Sequence, residues 1–287
     1  MSFLRRRPLL AGLAILPVLA LLFAGWMLLN ARAMPVVRTA EIALPFPAGA
    51  PSKPVRVALL TDTHMSGPDN SPERMARIVA QINALKPDLI LLGGDYMGDD
   101  KGGAIYSPAE SIAPFAALRA RLGVIAALGN HDSFGKGNRR TLRDRQWTTA
   151  FARVGVRLLQ NGVVRAGPLV IGGLQDPYTR FPDIPDTIAA MKAAGGAPIV
   201  LAHGPDIFPA LPDMRLLALV GHTHCGQVAL PFFGIVYVPS RYGVRYACGV
   251  YGQGARTMIV SGGVGTSGLP FRLLAPPDIW LVTIRPS

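Results

Sequence analysis

The sequence predicts one large α/β domain that follows a single apolar segment. Short apolar runs alternate with stretches that begin with helix-capping signals, which is typical of parallel strands connected by helices. Hydrophobic residues make up 50% of the 287-residue chain and charged residues 16%. This composition fits a well-packed domain with a membrane segment and argues against disorder.

The apolar segment covers residues 8–29 and contains no charged residue. At about 1.5 Å per residue, a helix of this length can cross a hydrocarbon core of roughly 30 Å. Three arginines at positions 5–7 precede it, which favours a cytoplasmic N-terminus and an extracytoplasmic, periplasmic domain. We therefore predict a single-pass inner-membrane anchor over residues 1–33. A cleaved export signal ending at Ala31-Arg32-Ala33 and a buried helix are the alternatives.

Residues 34–54 are rich in Pro and Ala and predict a linker with an entry strand at 36–44. The main domain is predicted to cover residues 55–287. Ser71-Pro72 and Ser107-Pro108 are signals for helix N-termini, and the second helix is predicted to run to about Leu122. The segment after Val228 is predicted to be rich in strands. The other predicted strands cover residues 55–60, 88–92, 124–128, 169–172, 199–202 and 216–220.

The chain has a net charge of +12 and a sequence pI of about 10.4, so its surface should attract anions. A phosphorylated substrate and membrane lipids are the expected partners. No stretch interleaves basic with aromatic residues, so no nucleic acid is expected, and no protein partner is implied. The two cysteines, Cys225 and Cys248, are compatible with one disulfide or with small buried thiols.

All five histidines follow apolar, strand-like runs and stand beside Asp, Asn or Gly. The carboxyl ends of strands in an open α/β sheet converge on one crevice, so groups distant in sequence can meet there. Taken singly, each short motif is more often structural than functional. The motifs are, in chain order, Asp62-Thr63-His64, Gly94-Asp95, Gly129-Asn130-His131-Asp132, Ala202-His203 and Gly221-His222-Thr223-His224.

In this order the motifs resemble those of the calcineurin-like metallophosphoesterase superfamily. The stretches 221–228 and 265–272 are similar to a membrane-associated bacterial branch of it, which includes UDP-2,3-diacylglucosamine pyrophosphatases of the lipid A pathway and related phosphodiesterases. Cys225 stands where that branch usually has glycine. The resemblance implies a calcineurin-like α/β/β/α sandwich with two mixed β-sheets.

The resemblance also implies a binuclear metal site in which every ligand position is filled. Two divalent or trivalent ions are expected, and imidazole and carboxylate ligands suit Mn, Fe or Zn. The first metal would be held by Asp62, His64 and His224, the second by Asn130, His203 and His222, with Asp95 bridging them.

Two further groups are given roles near this site. The resemblance has His131 face the substrate as general acid or hydrogen-bond donor, and Asp132 is predicted to orient its ring. Basic residues that follow would gather a phosphorylated substrate or contact anionic lipid, or else form a solvated helix face. These basic residues are Lys136, Arg139, Arg140, Arg143 and Arg145.

The leading hypothesis is a hydrolase of phosphodiester or diphosphate bonds, with a lipid-linked substrate such as UDP-2,3-diacylglucosamine. The alternatives are a membrane-tethered binding protein that lost catalysis and a nuclease. The intact ligand set argues against the first, and the anchor argues against the second. An extracytoplasmic domain would not meet a UDP-linked substrate made inside the cell, so the predicted orientation and this substrate exclude each other.

Overall fold

The computed structural model describes residues 7–50, 52–133, 144–179 and 181–287. Side chains of the N-terminal helix are described from Ile15 onward. Six of the basic residues discussed above lie outside the described residues: Arg5, Arg6, Lys136, Arg139, Arg140 and Arg143. Arg145 is described only as helical backbone.

The described helices lie at the N-terminus and between the strands. They are α1 (Arg7–Arg32), α2 (Pro72–Ala84), α3 (Pro108–Ile112), α4 (Asp144–Arg153) and α5 (Ile184–Ala194).

The described strands run from the end of α1 to the C-terminus. They are β1 (Val36–Leu44), β2 (Val55–Leu60), β3 (Leu89–Leu92), β4 (Val124–Ala126), β5 (Arg157–Leu158), β6 (Gly162–Ala166), β7 (Leu169–Gly173), β8 (Ala197–Leu201), β9 (Leu216–Val220), β10 (Ala229–Leu230), β11 (Gly234–Ile235), β12 (Gly249–Gln253), β13 (Arg256–Val260) and β14 (Asp278–Pro286).

Within the described ranges the strands form two six-stranded mixed sheets and a short hairpin. The first sheet has the order β1-β14-β2-β3-β4-β5, the second has the order β12-β13-β9-β8-β7-β6, and β10 pairs with β11. The predicted bounds of the strands agree with the structure to within a few residues, and those of β1, β2 and β9 are identical.

The two sheets pack face to face, with helices covering their outer faces. Successive side chains of a strand point to opposite faces of its sheet, so each buried strand is apolar on both sides. In β3, Leu89 and Leu91 face the second sheet, whereas Ile90 and Leu92 pack with α2. In β9, Leu217 and Leu219 face the first sheet. The fold is thus the predicted α/β/β/α sandwich.

The register of the parallel strands brings their carboxyl ends level. Leu60 of β2 pairs with Leu92 of β3, which pairs with Ala126 of β4. In the second sheet Leu201 of β8 pairs with Leu219 of β9. The loops that follow these residues therefore leave both sheets at the same edge.

The helix starts agree with the capping signals, but one helix is shorter than predicted. Ser71 caps α2, and Ser107 forms a capping box with Glu110 at the start of α3. The α-helix then ends at Ile112 instead of near Leu122 and gives way to a 3-10 turn over Ala113–Ala117. Pro114 explains the break, because it has no N–H to donate and its ring clashes with the preceding turn.

The predicted entry strand belongs to the first sheet. All nine residues of β1 are paired in parallel with β14, and Arg38 forms an ion pair of 2.8 Å with buried Asp278. The helix α1 is long and apolar enough to cross a membrane, with most of Ile15–Arg32 exposed. Its C-terminal turns contact the domain, where the Arg272 N–H donates to the Met27 carbonyl at 3.1 Å.

Candidate metal centre

Polar side chains from both sheets meet at the edge where the parallel strands end. The segments after β2, β3 and β4 supply two aspartates, an asparagine and two histidines, and those after β8 and β9 supply three histidines. All seven ligands implied by the resemblance lie in this crevice. They are Asp62, His64, Asp95, Asn130, His203, His222 and His224.

The first group of ligand atoms joins the end of β2 to the end of β9. Asp62, His64 and His224 each place one ligand atom within 4.8 Å of the others. The Nε2 atoms of His64 and His224 lie 3.1 Å apart, and Asp62 Oδ1 lies 3.7 Å from His224 Nε2. All three residues are buried.

The second group joins β3, β4, β8 and β9. His203 Nε2 lies 3.1 Å from Asp95 Oδ2, from Asn130 Oδ1 and from His222 Nδ1. Asp95, His203 and His222 again place their ligand atoms within 4.8 Å of one another. The Asp95 carboxylate also lies 3.5 Å from His64 Nε2, so it stands between the two groups.

The hydrogen bonds of the His203 and His222 rings show which ring nitrogens face the centre of the site with a free lone pair. His203 Nδ1 faces the carbonyl of Gly93 at 2.9 Å, and His222 Nε2 faces the carbonyl of Pro239 at 2.8 Å. A carbonyl can only accept, so these nitrogens carry the hydrogen and the opposite nitrogens are bare in the neutral ring. Bare nitrogens and carboxylate and amide oxygens around one point suit a cation, and the residues present therefore fit metal ions.

The electrostatics of the metal-free protein also call for positive charge. Burial alone would lower the pKa of His203, but the charge and hydrogen bond of Asp95 and the charge of Asp62 raise it well above its usual range. Burial and the neighbouring His131 lower the pKa of His64 to about 3. A proton on His203 thus occupies the place where a cation fits, while the first group keeps its rings neutral.

The backbone is strained at the ligands. Asp62, His64, Asp95, His222 and His224 all have positive φ, between 39° and 74°. Non-glycine residues seldom adopt this conformation, and it is concentrated at functional sites that the surrounding structure holds in place.

Two glycines let the carboxylates come close to neighbouring loops. A Cβ at Gly129 would collide with the Asp95 carboxylate, and one at Gly221 would collide with that of Asp62. The glycines of the G-N-H-D and G-H-T-H motifs are therefore required by the approach of the ligands.

His131 lies at the mouth of the site, where its side chain is 25% exposed. Its ring meets that of His64 edge to face at 4.7 Å, and its Nδ1 lies 3.2 Å from Asp99 Oδ1. Burial lowers its pKa, but the charge of Asp95 and the hydrogen bond and charge of Asp99 outweigh this and raise the pKa to about 9. The metal-free site thus holds His131 protonated at neutral pH.

The structure places Asp132 differently from the prediction that it orients the His131 ring. Its carboxylate accepts hydrogen bonds of 2.8 Å from the backbone N–H groups of Asp95, Tyr96 and Gly129. Its charge contributes to the raised pKa of His131, but the ring nitrogen is paired with Asp99. The reason is geometric: Asp132 points back under the loop, where it ties the segment after β3 to the segment after β4.

Sequence reasoning missed three residues that hold the site. Asp99 follows Asp95 by four positions, a spacing too common to carry a signal. Tyr178 stacks on the His222 ring at 4.0 Å. Arg272 is fully buried beside His224 and donates to the carbonyls of Gly262 and Gly265 and, at 2.9 Å, of Ala275. Arg272 lies within the stretch that carried the resemblance, but its role depends on contacts across the fold.

The two cysteines are joined. Cys225 and Cys248 form a disulfide with a Cα–Cα distance of 4.8 Å and a sequence separation of 23. Since Cys225 directly follows the candidate ligand His224, the bond attaches the loop after β9 to the start of β12. The alternative of buried free thiols is therefore wrong.

The fold and this constellation define a metal-dependent phosphoesterase. The model of the calcineurin-like phosphoesterase family matches residues 55–226, which contain all seven ligand positions. The chain belongs to this family.

Relatives in bacteria and animals share the same domain. The chain is 30% identical over 237 residues to the uncharacterized metallophosphoesterase YkuE of Bacillus subtilis, covering 80% of this chain and 79% of that protein. It is 30% identical over 208 residues to the phosphodiesterase YaeI of Escherichia coli, covering 69% of this chain and 71% of that protein. A zebrafish transmembrane protein with a metallophosphoesterase domain is 28% identical over 80% of this chain, which spans about half (53%) of its length.

Proposed function

We propose that this chain is a membrane-tethered, binuclear phosphodiesterase or diphosphatase acting on a lipid-linked phosphate ester outside the cytoplasm. The observation that carries the proposal is the convergence of two ligand groups on the shared carboxylate of Asp95, 3.1 Å from His203 Nε2 and 3.5 Å from His64 Nε2. Asp62, His64 and His224 would hold one ion, and Asn130, His203 and His222 the other. The donor set suits Mn, Fe or Zn.

Two bound cations would supply Lewis-acid stabilisation of the phosphoryl oxygens and a water nucleophile at neutral pH. The chain itself supplies the proton. His131 stands at the mouth, held at 3.2 Å from Asp99, and would donate a proton from its other ring nitrogen to the leaving oxygen. Asp132 keeps the loops after β3 and β4 in register through its backbone hydrogen bonds, so that Asp95 and His131 stay aligned.

The disulfide bears on the side of the membrane. Disulfides persist in oxidising compartments and are rare in the cytoplasm, so the bond between Cys225 and Cys248 supports an extracytoplasmic domain. The arginines that precede α1 favour the same orientation. A UDP-linked substrate made in the cytoplasm would then be out of reach, and we favour a lipid-linked phosphodiester or diphosphate exposed on the outer face of the membrane.

The reaction is tested with the purified full-length chain, loaded with Mn and assayed on bis(p-nitrophenyl) phosphate and p-nitrophenyl phosphate. We expect about two metal ions per chain and turnover of the diester that chelation abolishes. His131→Asn should keep both metals and lower kcat by about 10²- to 10⁴-fold. Two metals without turnover of any phosphoester would support the non-catalytic alternative. A kcat of His131→Asn near that of the wild type would show that His131 is not the general acid.

The orientation is tested separately. Alkaline phosphatase and green fluorescent protein are fused in parallel to Ser287, the last residue of the chain. Alkaline phosphatase activity without fluorescence is expected for an extracytoplasmic C-terminus. The reverse pattern would overturn the orientation and bring the UDP-linked substrate back within reach.

A further inference from the structure

A short apolar hairpin projects beside the metal centre. Its strands β10 and β11 are joined by Pro231, Phe232 and Phe233, and the tip is exposed: Phe233 is 82% exposed and Phe232 fully so. Val236 and Tyr237 follow with 62% and 72% exposure. We call residues 229–237 the apolar hairpin. Contiguous exposed apolar surface of this kind usually marks a contact with a membrane or a protein.

Local structure does not explain the aromatic tip. The Phe233 N–H donates to the Leu230 carbonyl at 3.3 Å, which closes a four-residue turn with Pro231 in second position. Phe232 occupies the third position with φ of 67°, where turns of this kind favour glycine or asparagine. A bulky aromatic residue here adds backbone strain and, being fully exposed, gains no packing within the chain.

The apolar hairpin is continuous with the base of α1. Arg272 donates its N–H to the Met27 carbonyl of α1 at 3.1 Å. The next residue, Leu273, donates to the Gln227 carbonyl at 3.0 Å and accepts from the Ala229 N–H at 2.8 Å. Two consecutive residues thus connect α1 to the start of the hairpin. At about 1.5 Å per residue, Met27 lies only roughly 8 Å along the axis from the end of α1, so the start of the hairpin is joined to α1 near the level where this helix would leave a bilayer.

The same surface is apolar around this connection, and the chain segment that forms it carries no acidic residue. Leu269 and Leu274, on either side of the connecting residues, are 66% and 63% exposed. The sequence contains no Asp or Glu between Asp213 and Asp278. Of the five arginines in that interval, Arg256 and Arg272 are buried, and Arg215, Arg241 and Arg245 are exposed. An uncharged aromatic tip on a basic, acid-free segment is complementary to the anionic, interfacial zone of a bilayer.

The apolar hairpin is also attached to the metal ligands at both ends. It begins five residues after His224, and the segment that follows it returns to His222, whose Nε2 faces the Pro239 carbonyl at 2.8 Å. The loop that carries Leu269 reaches the other side of the mouth, where the Gly268 N–H donates to Asp99 at 2.9 Å. Surface that contacts lipid would therefore border the entrance to the site.

We propose that the apolar hairpin inserts its aromatic tip into the bilayer interface and, with Leu269 and Leu274, holds the mouth of the metal centre against the lipid surface. The site would then take phosphoesters whose lipid part stays in the membrane. This inference rests on the proposed anchoring by α1 and deepens the proposed function by naming the surface through which a lipid-linked substrate enters.

The test measures the depth of the hairpin in the full-length chain. Since the two native cysteines are joined, a single introduced cysteine can be labelled with an environment-sensitive fluorophore. Phe233→Cys reports on the hairpin and Leu22→Cys on α1. The control is Gln253→Cys, an exposed position at the end of β12 that lies away from the disulfide. Each labelled chain is placed, one per disc, in nanodiscs of phosphatidylcholine and phosphatidylglycerol with or without a doxyl-labelled lipid.

We expect doxyl lipid to quench the labels at positions 22 and 233 at least threefold and to leave the label at 253 unchanged. Quenching at 22 without quenching at 233 would overturn the inference and leave the anchor intact. A blue-shifted but unquenched label at 233 would indicate a protein contact and would also overturn it. Absence of quenching at both positions would refute the anchor and the inference together. The proposed diesterase activity is judged separately, by turnover of a soluble diester, which does not depend on these outcomes.

A second arm measures activity. Phe232→Ser combined with Phe233→Ser should keep the wild-type rate on bis(p-nitrophenyl) phosphate in solution and lose about tenfold on a phosphodiester lipid presented in the same membranes. Val250→Ser, which removes a half-exposed apolar side chain elsewhere, is the matched control and should change neither rate. Equal rates of the double variant and wild type on the membrane substrate would contradict the role of the hairpin in substrate access.

Discussion

The two edges of the metal centre are held in different ways. At the first sheet the loops bond to one another through their backbones: the Asp62 N–H donates to the Gly94 carbonyl and the His64 N–H to the Asp95 carbonyl, each at 3.0 Å. At the second sheet a backbone bond also joins the loops, from the Gly221 N–H to the His203 carbonyl at 2.7 Å, but the rings are fixed in addition, as when His203 Nδ1 donates to the Gly93 carbonyl at 2.9 Å.

The difference follows from the chemistry of the ligands. A carboxylate can accept from several directions. A loop that fixes the backbone position of an aspartate therefore already provides a usable metal ligand. An imidazole offers one lone pair, whose direction depends on which nitrogen holds the hydrogen. The histidines of the second sheet therefore need partners from distant segments, such as the carbonyl of Pro239 for His222 and the carbonyl of Gly93 for His203.

Removing the group shared by both edges should have the largest effect. Asp95 lies between the two ligand groups, so Asp95→Ala is expected to lower metal content to one ion or none and turnover of a diester by about a thousandfold or more. Metal analysis and steady-state kinetics measure both. Asp186→Ala, at an exposed position of α5, is the control and should match wild type. Full metal content in Asp95→Ala would show that neither ion depends on Asp95.

A change at the mouth should impair the chemistry while sparing the metals. Asp99→Asn keeps the shape of the side chain but removes the charge that faces His131 Nδ1 at 3.2 Å. We expect kcat to fall by about a hundredfold with KM and metal content nearly unchanged, because the acid loses its counter-charge. Asp100→Asn, an exposed neighbour in the same loop, is the matched control. A loss confined to KM would mean that Asp99 positions the substrate instead of the acid.

A change on the second-sheet side should weaken one metal more than the other. Arg272→Met removes the guanidinium that braces the loops around His224, and supporting residues of this kind typically contribute 10- to 100-fold to metal affinity, as an order of magnitude. The ion held by Asp62, His64 and His224 should be lost first in a chelator titration. Arg285→Met, an exposed arginine paired with Glu41, should leave the titration unchanged. Equal weakening of both ions would show that Arg272 does not support the His224 group selectively.

The smallest effect on catalysis is expected from the disulfide. Replacing Cys225 and Cys248 together by Ser opens a loop with a sequence separation of 23, and closing such a loop stabilises a fold by about 3 kcal/mol. Thermal and urea unfolding should show this loss, while diester turnover at 25 °C stays within a factor of about three. Unchanged unfolding would show that the packing of β12 already holds this loop.

Much of the fold could be predicted from the sequence because its signals are local. Short apolar runs and Ser-Pro caps depend on a few neighbouring residues, and β2 and α2 lie where those signals occur. The helix after Ser107 was predicted too long because the strength of a capping box outweighed the break at Pro114.

The site divides along the same line. Asp62, Asp95 and the histidines are recognisable because each stands directly after a strand, so the order of motifs already implies their meeting at one edge. The partner of His131 was assigned to its neighbour Asp132, whereas the ring is paired with Asp99, more than thirty positions away in the preceding loop. Side-chain direction in a strained loop cannot be read from adjacency in sequence.

The sequence by itself determined the α/β class and the apolar helix, since these depend on composition and local patterns, and its ordered motifs implied the candidate metal ligands through their resemblance to the family. Only the tertiary structure decided how those groups are supported: Asp99 on His131, Asp132 under the loops, Arg272 beside His224, and the disulfide that follows it. It also placed the apolar hairpin next to the base of α1. The physical reason is that support and placement depend on contacts between segments far apart in the chain, which no local pattern encodes.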